Sequence, residues 1–440
     1  MLSKETGRVG VVGLGHVGLP YAAAFAHIGF EVTGMDVDKK AVMLLSENYT
    51  APFFEPSLNE TLLANRERLL FTTTPRELEK CDCILIAVGT NINDLGDIDM
   101  SQLSSAISAI APVLTKKHLL ILKSTVKPTT TERYLTERIR QSTGKVAGRD
   151  YLLAYSPERT IEGMALHEIY TLPKIVGGVN KESLERASKV LARLGGPVIE
   201  VSSPAVAELC KLIDNLYRSV NIALANEISL LCEQIGIDSE EVVNAVNNGY
   251  HRTRVPKPGL GADGPCLTKD PRIFAYAAKE LGIDPILCDA TIRRNTDSTL
   301  RVGRAVVDFL KRNRVNAGRV SLIGLAYKGF PEIDDTRASP ASKVFQYVQR
   351  EMPNASFSLY DPLVKRFMGM KVEAKIEDAF MGSNVVCFLT NHLRLRKVPL
   401  DRITAVAGSP LLVIDAWRNT TGTSKDEVQV LRIGNIRSDY

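Results

Sequence analysis

The chain has 440 residues, 45% of them hydrophobic and 24% charged, with a formal net charge of +5 at pH 7. That length sustains two or three cores rather than one, and so mild a charge excludes a nucleic-acid-binding stripe, leaving local basic pockets for small anions. No apolar run reaches about 18 residues, which excludes a membrane-spanning helix. The seven cysteines, scattered and without a secretory signal, predict reduced thiols in a cytoplasmic protein. Cys81 and Cys83 lack the further ligands that a zinc site needs, so no metal is expected.

The first segment opens with a buried strand at Val9–Val12, an apolar helix from Leu19 to Ile28 and a second strand in "EVTGMD". Further strands are expected at "CILIAV", "LLILKS" and "LLAYSP", with helical stretches such as Ser101 to Leu114 between them. This alternation predicts a parallel sheet covered by helices on both faces. From Ser203 the pattern changes. Ser203 as N-cap, Pro204 in the first turn and Gly236 as the stop bracket a helix of roughly 30 residues, or about 45 Å. So long an element reads as an interdomain spine and a dimer surface, followed by a shorter helical region to Lys311. An α/β pattern then restarts at "RVSLIGLAYK" and continues through "SFSLYDP", "VVCFLT" and "LLVIDAWR". The expected architecture is α/β: two doubly wound Rossmann-like domains, residues 1–202 and 315–440, joined by a helical connector, residues 203–314.

Gly13, Gly15 and Gly18 form G-x-G-x-x-G between a strand and a helix, with His16 and Val17 inside the turn. The first glycine permits the tight turn, the second lets backbone N–H groups approach a pyrophosphate, and the third packs helix on strand. Asp36 closes the next strand, where a carboxylate takes the ribose hydroxyls and repels a 2′-phosphate, so the expected cofactor is NAD.

Cys266 stands in "GLGADGPCLTKDP", a glycine- and proline-rich turn, whereas Cys83 in "CDCILIAV" sits in an apolar run and reads as core. A dehydrogenase that carries an alcohol past the aldehyde to an acid needs a nucleophile. A thiolate supplies it by adding to the aldehyde, giving a thiohemiacetal and then a thioester that water hydrolyses. Lys269 is a cation placed to lower the thiol pKa.

The segments "GLGHVGLP", "SPERTIEG", "ELCKLIDN", "GPCLTKDP" and "GLAYKGFPEIDDTRASPA", in this order, resemble the UDP-glucose/GDP-mannose dehydrogenase family over nearly the whole chain. The resemblance implies oxidation of a nucleotide sugar at C6 to a carboxylate with two NAD and no metal. It assigns the nucleophile to Cys266, oxyanion stabilisation to Lys211 and Asn215, the hydrolytic water to Glu158 and Thr125, and an acid beside the thiol loop to Asp270. Thr90, Thr125 and Arg337 match cofactor contacts, while Gly264, Tyr327, Lys328 and Arg418 match contacts to a UDP-sugar. Arg252 occupies the place of an arginine that reaches a neighbouring subunit's substrate, so a homodimer is implied. Arg159, where the UDP-glucose branch has an aromatic residue, together with Thr160, Arg218 and His251 looks more like the N-acetylhexosamine branch. The expected substrate is UDP-N-acetyl-D-mannosamine, ahead of UDP-N-acetylglucosamine and UDP-glucose. A silent NAD- and nucleotide-sugar-binding sensor is the alternative of another class. Three departures stand out: Asp263 where the family has glycine, "AVGTNIN" in place of a proline-containing turn, and "KPTTT" without the usual glycine.

Overall fold

The computed structural model describes residues 7–93, 97–422 and 428–434. The chain divides into two compact units, one formed by residues up to Asp214 with Tyr276–Ile283, the other by Asn215–Ala275 and everything from Asp284 onward.

The first unit is built on eight strands: β1 (Arg8–Val12), β2 (Glu31–Met35), β3 (Leu69–Thr72), β4 (Cys83–Ile86), β5 (Leu119–Leu122), β6 (Leu152–Tyr155), β7 (Lys174–Gly178) and β8 (Val198–Val201). They lie in the order β3-β2-β1-β4-β5-β6-β7-β8. Neighbours are parallel except β6 and β7. The central strands are apolar at every position because both faces are covered. Leu85, Leu119 and Ile121 face a core with Phe25, Leu45 and Leu191, whereas Ile84, Leu120 and Leu122 face one with Ile107, Ile139 and Tyr151. Cys83 is 2% exposed within the first of these cores, as its apolar run predicts.

The second unit carries a five-stranded parallel sheet in the order Ser356–Tyr360, Arg319–Ile323, Val385–Phe388, Leu411–Asp415, Val428–Arg432. Here too alternate residues enter different cores, Val385 and Cys387 on one face and Val386 and Phe388 on the other.

The long helix runs Pro204–Ile235, 32 residues, begins at the expected proline and stops before Gly236, whose φ is +75°. The expected helical region follows it and ends at Arg312. Ser239–Asn247, Asp270–Glu280 and Ile286–Arg312 are all helices, the last of 27 residues. In the two large sheets, four strands fall outside the sequence expectation: β3, β7, β8 and Val428–Arg432. All but β7 lie at a sheet edge, and β7 ends on two glycines, so no long apolar run marks any of them.

The two units share one turn design. In the first, Gly13 N–H donates to the Met35 carbonyl at 2.8 Å and Leu14 N–H to Asp36 Oδ2 at 2.7 Å. In the second, Gly324 N–H donates to the Tyr360 carbonyl at 2.8 Å and Leu325 N–H to Asp361 Oδ2 at 2.7 Å. Each aspartate follows the strand beside the glycine turn and ties that turn to the sheet.

Candidate active site

The phosphate loop follows β1. Gly13 has φ +90°, a conformation that disfavours any side chain, and a Cβ on Gly18 would lie 1.8 Å from the Gly13 carbonyl. Around Gly15 nothing lies within 4 Å of where a Cβ would be, so its backbone is open to a ligand. Asp36 has a second task that its sequence position does not disclose. Besides Leu14 N–H, it accepts Asp38 N–H at 3.0 Å, so the carboxylate expected to take a ribose also holds the loop. His16 stacks on Phe53 with ring centroids 4.1 Å apart. These residues fit a dinucleotide: open backbone at a helix start, with an acid at the end of the next strand.

Thr90 is buried, and its hydroxyl donates to the Thr125 carbonyl at 2.7 Å, while Ser124 Oγ donates to the Val88 carbonyl, also at 2.7 Å. In "AVGTNIN" the threonine thus joins the segments that follow β4 and β5. It acts on Thr125 through the backbone.

Glu158 follows β6 at the carboxyl end of the sheet, where ligands bind in open α/β sheets. It is 8% exposed. Its Oε1 accepts Arg159 N–H at 2.9 Å and Thr160 N–H at 2.7 Å, and its Oε2 lies 3.6 Å from Lys123 Nζ. Burial raises a carboxyl pKa, but the Lys123 charge and these hydrogen bonds prevail and hold Glu158 below its ordinary value. Lys123 is itself pulled down by burial, against the attraction of Glu158 and with the charge of Lys211 adding to the fall. Burial and the neighbouring Glu158 push the Tyr21 phenol well above its ordinary value. Lys211, on the long helix, is 8% exposed, and its charge is the one that adds to the fall at Lys123.

Lys123 and Tyr21 escape sequence reasoning because each reads as part of an apolar segment. Lys123 Nζ also lies 4.3 Å from the Tyr21 ring centroid and donates to the Ser156 carbonyl at 3.2 Å. Position gives the one usable signal: Lys123 directly follows the apolar strand β5. Arg159 is turned to Asp214, with Nε 2.7 Å from the carboxylate. Glu55, also unmarked in the sequence, is buried and accepts Gly163 N–H and Ala165 N–H at 2.7 and 2.8 Å, fixing the segment that follows "SPERT".

In the second unit Asn215 is fully buried. It accepts from Arg218 Nη2 at 2.6 Å and donates to Asp270 Oδ2 at 2.5 Å. Cys266 lies four residues before Asp270, in a one-turn helix, Gly264–Leu267, where the sequence suggests a turn alone. Gly264 N–H donates to the Ala338 carbonyl at 3.1 Å. Gly264 has φ +84°, and a Cβ there would meet the Tyr327 ring at 2.5 Å, so Tyr327 packs directly on the thiol turn. Lys328 Nζ stands 5.5 Å from the Tyr327 ring centroid. Gly264, Tyr327 and Lys328 are thus brought together. Arg337 is clamped on its neighbour Asp335, with Nη2 at 2.6 Å. Arg418 pairs with Asp238 and Glu240 at 2.5 and 2.8 Å. His251 and Arg252 are exposed beside Tyr250, the Arg252 guanidinium 5.3 Å from its ring centroid.

Residues 7–194 match the NAD binding domain of the UDP-glucose/GDP-mannose dehydrogenase family, residues 205–297 its central domain and residues 321–421 its UDP binding domain. The UDP-N-acetyl-D-mannosamine dehydrogenase of Salmonella typhimurium is 32% identical over 414 residues, covering 90% of this chain and 96% of that protein. The chain belongs to the UDP-glucose/GDP-mannose dehydrogenase family. It is an NAD-dependent nucleotide-sugar dehydrogenase. Among solved structures it is similar to a UDP-D-ManNAc dehydrogenase from Pyrococcus horikoshii, with TM-score 0.87, 28% identity and coverage of 97% and 99% of the two chains. It is also similar to a UDP-glucose dehydrogenase from Pyrobaculum islandicum, with TM-score 0.83, 25% identity and 99% coverage of both chains. No helix among the described residues is long and apolar enough to cross a membrane.

Proposed function

We propose that this dehydrogenase oxidises the C6 hydroxymethyl of a UDP-N-acetylhexosamine, UDP-N-acetyl-D-mannosamine first among them, to the carboxylate in two two-electron steps. The observation that carries the four-electron reading is the accessibility of one sulfur. Of the seven cysteines, all within the described residues, Cys266 alone is exposed. The choice of sugar is supported by the names of the relatives and by Arg159 in "SPERT".

NAD, when bound by the Gly13–Gly18 loop and Asp36, supplies the hydride acceptor for both steps. In the first step the C6–H bond would break with its hydride leaving to the nicotinamide and the O–H bond with its proton leaving to solvent, giving the aldehyde. The Cys266 thiolate then forms a C–S bond to the aldehyde carbon, leaving an oxyanion that Lys211 and Asn215 stabilise as cation and amide donor. Loss of the remaining C6–H as hydride converts the thiohemiacetal to a thioester. Water attacks the thioester carbonyl, the C–S bond breaks and the thiolate is regenerated. Glu158, held ionised, receives the water's proton, assisted by Thr125. Asp270 orients Asn215 through their 2.5 Å hydrogen bond. On the UDP side, Tyr327, Lys328, Gly264 and Arg418 hold the nucleotide, while Arg218 faces the sugar. Thr160 and His251 contact the sugar, and Arg252 serves a second subunit of a homodimer.

Two NADH should form per sugar consumed, and Cys266→Ser should abolish acid formation while NAD affinity stays within about twofold. A ratio of one, or acid formation by the serine variant, discards the thioester route. Turnover of UDP-glucose faster than of both UDP-N-acetylmannosamine and UDP-N-acetylglucosamine would reassign the substrate.

A further inference from the structure

Asp263 stands three residues before Cys266, at a position where the family generally has glycine, and the structure shows where its charge goes. It immediately precedes the short helix Gly264–Leu267, yet its side chain does not cap that helix. Instead Asp263 Oδ1 lies 2.5 Å from Lys343 Nζ, with the two side chains 4% and 24% exposed. Its Oδ2 accepts from Thr299 Oγ1 at 3.5 Å. Lys343 belongs to the helix Pro340–Glu351 and Thr299 to the helix Ile286–Arg312, so one carboxylate ties the thiol loop to both. The remaining charges on the loop are Lys269, Asp270 and Arg272. Asp270 is engaged by Asn215, and Arg272 lines, with Lys343 and Arg350, a cavity of about 360 Å³ between loop and helices.

We propose that Lys343 is a positioning residue for the thiol: its ion pair with Asp263 holds the loop against the helix Pro340–Glu351 and cancels a carboxylate charge close to Cys266. A buried carboxylate stripped of its partner is costly, and at an effective dielectric of about 20 an uncompensated charge on the order of 10 Å from a sulfur shifts that sulfur's ionisation by roughly one pH unit. Asp263 and Lys343 therefore exert opposite influences, and together nearly none. Burial pushes the Asp263 carboxyl upward and the Lys343 charge opposes this, consistent with a pair in which each member needs the other.

The inference rests on the proposed nucleophilic role of Cys266, and its test is separable from that role. Iodoacetamide labelling of the intact enzyme, followed at the Cys266 peptide as a function of pH, reads thiol ionisation whether or not the thiol is catalytic. Lys343→Met should move the labelling midpoint upward by roughly one unit and Asp263→Asn should move it downward. The double variant should return to within about 0.2 units of the parent. Should Lys343→Met fail to fold, the downward shift in Asp263→Asn and its reversal in the double variant still decide the matter. Turnover should follow labelling, falling about tenfold in Lys343→Met and recovering in the double variant, with the KM for NAD unchanged. Equal midpoints in all four proteins, or shifts of the same sign in both single variants, would overturn the proposal. Full acid formation by Cys266→Ser would instead remove the reading on which it rests.

Discussion

Glu208 lies on the long helix one turn before Lys211, fully buried, with Oε1 accepting the Thr131 backbone N–H at 2.8 Å and the Thr131 hydroxyl at 2.6 Å. The "KPTTT" segment thus replaces the family's glycine with threonines, one of which fastens the stretch after Thr125 to the helix that carries Lys211. Burial raises the Glu208 carboxyl to about 7 from its ordinary 4.5, with the Thr131 hydrogen bonds opposing the rise. Between those values the unfolded chain has already lost the proton that the folded protein keeps, so stability falls as pH rises and levels off above about 7. The size is of the order of 3 kcal/mol over that interval. Glu208→Gln should flatten this dependence: urea unfolding at pH 5 and pH 8 should show a smaller loss in the variant than in the parent. An equal loss in both would place the titration elsewhere. At this scale the sequence discloses residue types but not partners. Cys266 stands out by its surroundings, whereas Lys123, Tyr21 and Glu55 acquire their roles only when strand ends converge.

At the scale of elements, the thiol turn depends on a fit that a single methyl group would break. Gly264→Ala adds a Cβ that meets the Tyr327 ring at 2.5 Å on a backbone with φ +84°, so the variant should lose about 2 kcal/mol or more of stability and most of its turnover. A thermal midpoint and turnover both unchanged would show that the loop relaxes. The long helix leaves Leu209, Ile213, Tyr217, Leu224, Leu231 and Ile235 exposed, at intervals of four or seven residues after the first. That spacing traces one apolar stripe, the signature of a face that another helix covers. The proposed homodimer uses it. Leu224→Lys should weaken self-association at least tenfold in sedimentation velocity, and an unchanged association constant would put the contact on another face. The long helix was legible because proline opens it, glycine closes it and apolar residues recur throughout. The helical region that follows it was legible as helical, whereas its division into separate helices on either side of the thiol turn was not.

At the scale of the whole molecule, the doubly wound pattern was legible because each central strand is an unbroken apolar run. The reversal of β7 was not, because Lys174–Gly178 is short and sequence alternation carries no direction. The reversal matters to the chemistry. It sets Lys174 at the edge where β6 ends, and burial first, then Lys123, lowers that lysine to about 8 while Glu158 pulls the other way. Strands β1 to β6 offer their carboxyl ends to ligands on this edge, and β7 closes the row.

The paired aspartates, Asp36 and Asp361, fasten turns of matching spacing, G-L-G-H-V-G and G-L-A-Y-K-G. Where the first leaves Gly15 bare, the second has Ala326, 1% exposed, followed by Tyr327 and Lys328. One scaffold thus carries two different turns: one with open peptide backbone, suited to a close-fitting diphosphate, and one with side chains in its place, suited to a grip whose identity can drift. If these are the nucleotide and coenzyme grips proposed above, the nucleotide grip is free to change in the C-terminal copy without disturbing the coenzyme's seat.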